Sequence, residues 1–138
     1  MTRITRLEFR AESGPGSRMQ WNHRGSGHVQ VTVDGPDVFF QEAFTLDNGL
    51  PCQDRKCWHF GAEGIIFRHF REQRFQDILL LVPDASGIHL VAQAPYACPP
   101  DRYDGSLSLH ADTLELQLRI TGARKDEDIR YRYRADPG

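Results

Sequence analysis

YACPPDRYDGSLSLHADTLELQLRITGARKDEDIRYRYR, residues 96–134, is the stretch whose reading decides the fold. Leu114, Leu116, Leu118 and Ile120 alternate with Glu115, Gln117, Arg119 and Thr121. Ile129, Tyr131 and Tyr133 alternate with Arg130, Arg132 and Arg134. Successive side chains of a strand point to opposite faces, so each segment is a strand with one dry and one wet face. The charged run Arg124-Lys125-Asp126-Glu127-Asp128 is the turn between them.

The same period recurs upstream. Residues 2–11 place Leu7, Phe9 and Ala11 opposite Arg6, Glu8 and Arg10. Residues 18–24 read as a short strand holding Trp21, broken by Gly25-Ser26-Gly27. Val29, Val31 and Val33 alternate with His28, Gln30 and Thr32, and the hairpin turn Asp34-Gly35-Pro36-Asp37 leads to a strand over residues 38–46. Further strands are expected over residues 55–60, 64–71, 75–82 and 88–93, with residues 95–100 irregular because of Pro95, Pro99 and Pro100. Residues 67–76 also show a helical spacing, but the alternation of Ile65, Phe67 and His69 favours strands. Many short strands with evenly spaced turns predict an all-β domain spanning residues 1–138, a single antiparallel up-and-down barrel of about 8–10 strands.

Composition narrows the function. The formal net charge of −2 and a pI near 6.3, with charges interspersed, argue against a nucleic-acid partner. No apolar run is long enough to span a membrane, and the basic start has no apolar segment after it, so a cytoplasmic protein is expected. Three cysteines, Cys52, Cys57 and Cys98, fit a reducing compartment. The spacing Cys52-x4-Cys57-x-His59 is not a usual zinc knuckle, so no metal and no cofactor is expected. A monomer or a homodimer is compatible with the sequence.

Cys98-x-x-Asp101-x-Tyr103-x-Gly105, followed by Gly122-x-x-Lys125-Asp126 and Tyr133-Arg134, resembles the C-terminal signature of a bacterial family of unknown function. Phe40 with Glu42, and the run from Asp84 to His89, resemble its upstream part in order. The resemblance implies a short all-β protein with a lipocalin-like (calycin) barrel, and implies no activity.

Candidate site residues are the polar groups on apolar faces. Glu42 interrupts Val38, Phe40, Phe44 and Leu46; facing inward, it would contact a ligand or accept a proton, and the plainer alternative is an ion pair with an arginine. His69 and Asp77 lie on neighbouring strands and would pair across a hairpin, as in an Asp-oriented histidine, or His69 is a satisfied core histidine. Lys125 sits in a turn, where an ion pair with its neighbours, near Arg132 or Arg134, is the plainer role. Trp21, Trp58, Tyr96 and Tyr103 are large aromatics suited to lining or plugging a barrel, and Tyr133, on the dry face of the last strand, is a further candidate. The arginine row at 130, 132 and 134 faces away from its tyrosines, which suits a solvated face pairing with Glu8 and Glu115 rather than RNA. Three readings follow. The favoured one is a barrel holding a small, partly polar organic ligand in its interior, lined by Glu42, Trp58, His69, Asp77, Tyr103, Lys125 and Tyr133. The others are an enzyme using Glu42, His69 and Asp77 in that cavity, and a filled-barrel protein-interaction module.

Overall fold

The computed structural model describes residues 1–18 and 20–136. Its strands are β1 (Ile4–Ser13), β2 (His23–Asp34), β3 (Asp37–Leu46), β4 (Pro51–Phe60), β5 (Ile65–Arg71), β6 (Arg74–Pro83), β7 (His89–Ala92), β8 (Tyr96–Cys98), β9 (Asp101–His110), β10 (Thr113–Thr121) and β11 (Asp126–Ala135). Consecutive strands pair antiparallel except that β7 pairs β9 rather than β8, and β11 returns to pair β1. The result is a closed, up-and-down antiparallel barrel of ten strands, with β8 added to β9 near one end. Closure leaves few free edges for another chain to extend. No helix among the described residues is long and apolar enough to cross a membrane.

Alternation predicts the inner face well on most strands. Leu7, Phe9 and Ala11 of β1, Val38, Phe40, Phe44 and Leu46 of β3, Leu114, Leu116 and Leu118 of β10, and Ile129, Tyr131 and Tyr133 of β11 are all buried. Phe9 stacks on Phe44 with ring centres 5.0 Å apart, and Phe40 meets Tyr133 edge-on at 5.0 Å. These contacts pass over Gly25 and Gly27 of β2, which carry no side chain, and join β1 and β11 to β3 in a layer of rings.

One expected break is absent. Gly25-Ser26-Gly27 does not end a strand: β2 runs unbroken through it. A Cβ on Gly27 would land on the carbonyl oxygen of Ala43 and on Phe44, so glycine is what lets β2 fold tightly over β3. Residues 67–76 contain no helix. Glu72 and Gln73 take positive φ, 52° and 68°, the two-residue turn whose twist suits a hairpin.

The wall is uneven. β6 pairs β7 only from Leu81 to Pro83, and β8 pairs only β9. Among the described residues no ladder joins residues 74–79 of β6 to β8 or β9. This opening lies at the end of the barrel that carries the turns 72–73 and 99–100.

Candidate functional site

The inner face of β4 carries Cys52, Asp54, Lys56 and Trp58, and that of β3 carries Phe40, Glu42 and Phe44. In the ladder Glu42 lies directly opposite Asp54, and Phe40 opposite Lys56. Two carboxylates facing each other across strands repel. Lys56, one inward position further along β4, folds between them. Its Nζ donates to Glu42 Oε1 at 2.5 Å and to Asp54 Oδ2 at 3.0 Å, and it sits 3.5 Å from the ring centre of Tyr131. The second oxygen of Glu42 accepts the hydroxyl of Tyr133 at 2.5 Å. Glu42 and Lys56 are each 1 % exposed.

From this buried pair a chain of polar contacts runs toward the open end. Asp54 Oδ1 accepts from His69 Nε2 at 2.5 Å, and His69 Nδ1 accepts from Arg71 Nε at 3.0 Å. An arginine N–H can only donate, so in this pattern Nδ1 is the acceptor and Nε2 the donor toward Asp54. The Arg71 guanidinium lies 5.0 Å above the ring of Tyr103 on β9, and Tyr96 meets Tyr103 edge-on at 6.0 Å. His69, Arg71, Tyr96 and Tyr103 are all half-buried, whereas the Glu42–Lys56 pair is sealed.

The charges are set by this arrangement. Burial alone would push the Asp54 carboxyl up, but Lys56 and His69 outweigh it and hold Asp54 well below its ordinary value of 3.8. Burial works against the Lys56 ammonium too, yet Glu42, Tyr131 and Asp54 together hold it well above 10.5. Burial, followed by Lys56 acting the other way, leaves the Tyr131 phenol above 10.0, and burial with Glu42 beside it does the same for Tyr133. A pH dependence of stability follows by linkage. Asp54's contribution is complete above pH 3.8 and is lost as pH falls through its lower folded value. The Lys56 contribution is complete below pH 10.5 and is lost as pH rises through its higher folded value. Urea-unfolding free energies should therefore be level at neutral pH and fall at both extremes. Asp54→Asn should lower the neutral plateau and flatten the acid limb; an unchanged acid limb in that variant would show that Asp54 is not held as described.

Sequence and structure agree on Glu42, Trp58, His69, Tyr103 and Tyr133 facing inward. The structure joins Glu42 and Tyr133 directly, and links His69 to them through Asp54 and Lys56. Trp58 packs between Phe40 and Phe67, fully buried, and its indole N–H has no acceptor among the described residues. Asp77 is a correction. A bulge between Phe67 and Arg68 shifts the β5–β6 register, so Gln76 and not Asp77 stands opposite His69. Asp77 points outward and pairs with Arg68 at 2.6 Å. Glu42 is corrected too: its partner is a lysine rather than an arginine. Lys125 stays at the rim, half-buried, 3.0 Å from Asp101 rather than beside Arg132 or Arg134. The outer arginines do pair as expected, Arg130 and Arg132 with Glu115 and Arg134 with Glu8.

Asp54, Lys56 and Arg71 carry the polar chain, and none stands out as a motif. Lys56 shares the face of Trp58 within the expected strand 55–60, and Asp54 joins it only when that alternation is extended back to Pro51, where β4 begins. Arg71 continues the inner row Ile65, Phe67, His69 by one step. On the outer face, burial first and then Asp37 push the Cys57 thiol up to about 11, which makes it a poor nucleophile. Cys52 faces the interior, so Cys52 and Cys57 lie on opposite faces of β4. Outside the barrel, two adjoining clefts of about 540 and 670 Å³ run over β11, β1, β2 and β3 and carry Arg6, Arg10, Arg24, Arg130, Arg132 and Arg134.

Among solved structures, the chain resembles a de novo designed fluorescence-activating β-barrel. The TM-score is 0.50 at 12 % identity, over 95 % of this chain and 91 % of that one, a likeness of fold alone. No curated protein matches the sequence. A family profile does match, over residues 10–135, and the chain accordingly belongs to DUF6314, a family of unknown function.

Proposed function

We propose that this protein is a small-ligand-binding barrel of the lipocalin-like kind, and that its ligand is taken at the open end rather than at the barrel centre. The observation that carries the reading is the change of the inner face along the barrel. Around Glu42 and Lys56 it is closed by packed rings. At the end bearing turn 72–73, His69, Arg71, Tyr96 and Tyr103 face inward and keep contact with solvent. A face built only for packing has no use for such groups, since a polar group withdrawn from water needs a partner. Ligand sites combine an apolar wall with a few placed polar groups, and barrel mouths are common places for them. Here Tyr96 and Tyr103 are the wall, and His69 with Arg71 the polar groups. The ligand is a small, partly polar organic molecule. The free cysteines support the expected cytoplasmic setting.

Catalysis by His69 fits this geometry less well. Both ring nitrogens are engaged, one by Asp54 and one by Arg71, so no free lone pair faces a substrate.

The test is a nuclear magnetic resonance screen of small aromatic compounds against labelled protein. Shift changes should concentrate on His69, Tyr96 and Tyr103, and Tyr103→Ala should weaken binding severalfold with the spectrum otherwise native. Changes confined to the outer clefts beside Arg6 and Arg132 would refute the reading.

A further inference from the structure

Five cations are withdrawn from full solvent exposure among the described residues: Lys56, Arg68, Arg71, Lys125 and Arg130. Four of them face a carboxylate. Lys56 has Glu42 and Asp54, Arg68 has Asp77, Lys125 has Asp101 and Arg130 has Asp128. Arg71 has none. Its Nε donates to His69, its flat face rests on Tyr103, and its two terminal nitrogens meet no acceptor among the described residues. The nearest inward acid, Asp54, has one oxygen on Lys56 and the other on His69. Glu72, in the adjoining turn, is exposed and makes no ion pair with Arg71. Arg74, opposite Arg71 in the ladder, adds positive charge rather than removing it.

We infer that Arg71 is an anion-recognising residue, and that the ligand of the open end is an organic carboxylate whose head takes the terminal nitrogens of Arg71 while its apolar body lies against Tyr96. The inference rests on the ligand-binding reading above and names the class of that ligand. A guanidinium half-removed from water has lost hydration that only an anion fully restores. Its planar fork matches a carboxylate with two parallel hydrogen bonds. The contacts that hold Arg71 are of the kind that leave this fork open: one edge goes to His69 and one face to Tyr103. The partner's charge completes a row that alternates in sign from the barrel centre outward, Lys56, Asp54, Arg71, then the ligand, with the His69 ring bridging Asp54 and Arg71.

The experiment is a binding titration, followed at the Arg71 Nε–H and His69 ring signals, with acetate, benzoate and 2-naphthoate and with the amide of each. Affinity should rise with the apolar body, and each amide should bind about tenfold or more weakly than its acid, the share of one charge-assisted pair. Arg71→Gln should erase the difference between acid and amide, and Arg71→Lys should recover part of it, because the charge returns without the fork. Equal binding of acids and amides with shifts at His69 and Tyr103 would overturn the anion assignment and leave the ligand-binding reading standing. Shifts only in the outer clefts near Arg6, Arg132 and Arg134, or no binding by any member of the series, would overturn both.

Discussion

Lys56→Met is expected to cost about 3–5 kcal/mol of folding free energy, the range for breaking a buried ion pair by removing one partner. The lysine is sealed, and its three donor directions go to Glu42, Asp54 and the face of Tyr131. Without it Glu42 remains buried with only the Tyr133 hydroxyl, directly across from Asp54. The cost comes from the stranded carboxylate rather than from the attraction lost. The triple change Glu42→Leu, Lys56→Met and Tyr133→Phe removes the stranded groups together. It should return stability to within about 1 kcal/mol of the parent or above it, because a packed apolar replacement of a buried pair is often neutral or better. Urea denaturation of both variants at neutral pH decides the matter. A single-variant loss below about 1 kcal/mol, typical of an exposed pair, would show that water reaches this ammonium.

Leu116→Ala is the second large effect, about 2–5 kcal/mol, as for deletion of a large aliphatic side chain from a packed core. Leu116 has no solvent exposure and lies in register with Leu107 on one side and Tyr131 on the other. These neighbours sit on ladders that close the barrel, so they cannot collapse inward to refill the space without bending the wall. A loss under about 0.5 kcal/mol, the scale of surface substitutions, would mean the inner face of β10 is not core.

The two predictions separate two kinds of stability in one barrel. Leu116 belongs to the part where apolar area and ring packing hold the wall together. Lys56 belongs to a polar spine that is tolerated because each of its members has a partner. That spine ends at Arg71, the one member whose charge the described residues leave unanswered, and there the protein turns from structure toward recognition.

The sequence by itself determined which way most side chains point. A strand has a period of two, so the runs at 114–120 and 129–133 assign Leu116, Tyr131 and Tyr133 to one face without any knowledge of what lies opposite. The same reasoning placed Glu42 and His69 inside and the arginines at 130, 132 and 134 outside. It also gave an all-β barrel, since repeated alternation and frequent turns leave little room for helices. Tertiary structure alone decided partnership. Asp77 was expected beside His69, and one extra residue on β6, Ile78, turned it out to Arg68, because a single-residue shift in register exchanges the faces of the side chains beyond it. The true partner of His69, Asp54, lies on β4, fifteen residues upstream, and comes within reach only when β4 and β5 pair. Arg71 of β5 meets Tyr103 of β9, two strands that β6 and β7 separate in the sheet, a contact written in no local pattern. Periodicity is a property of one strand and survives in the sequence; register and closure are properties of pairs of strands, and only the folded wall fixes them.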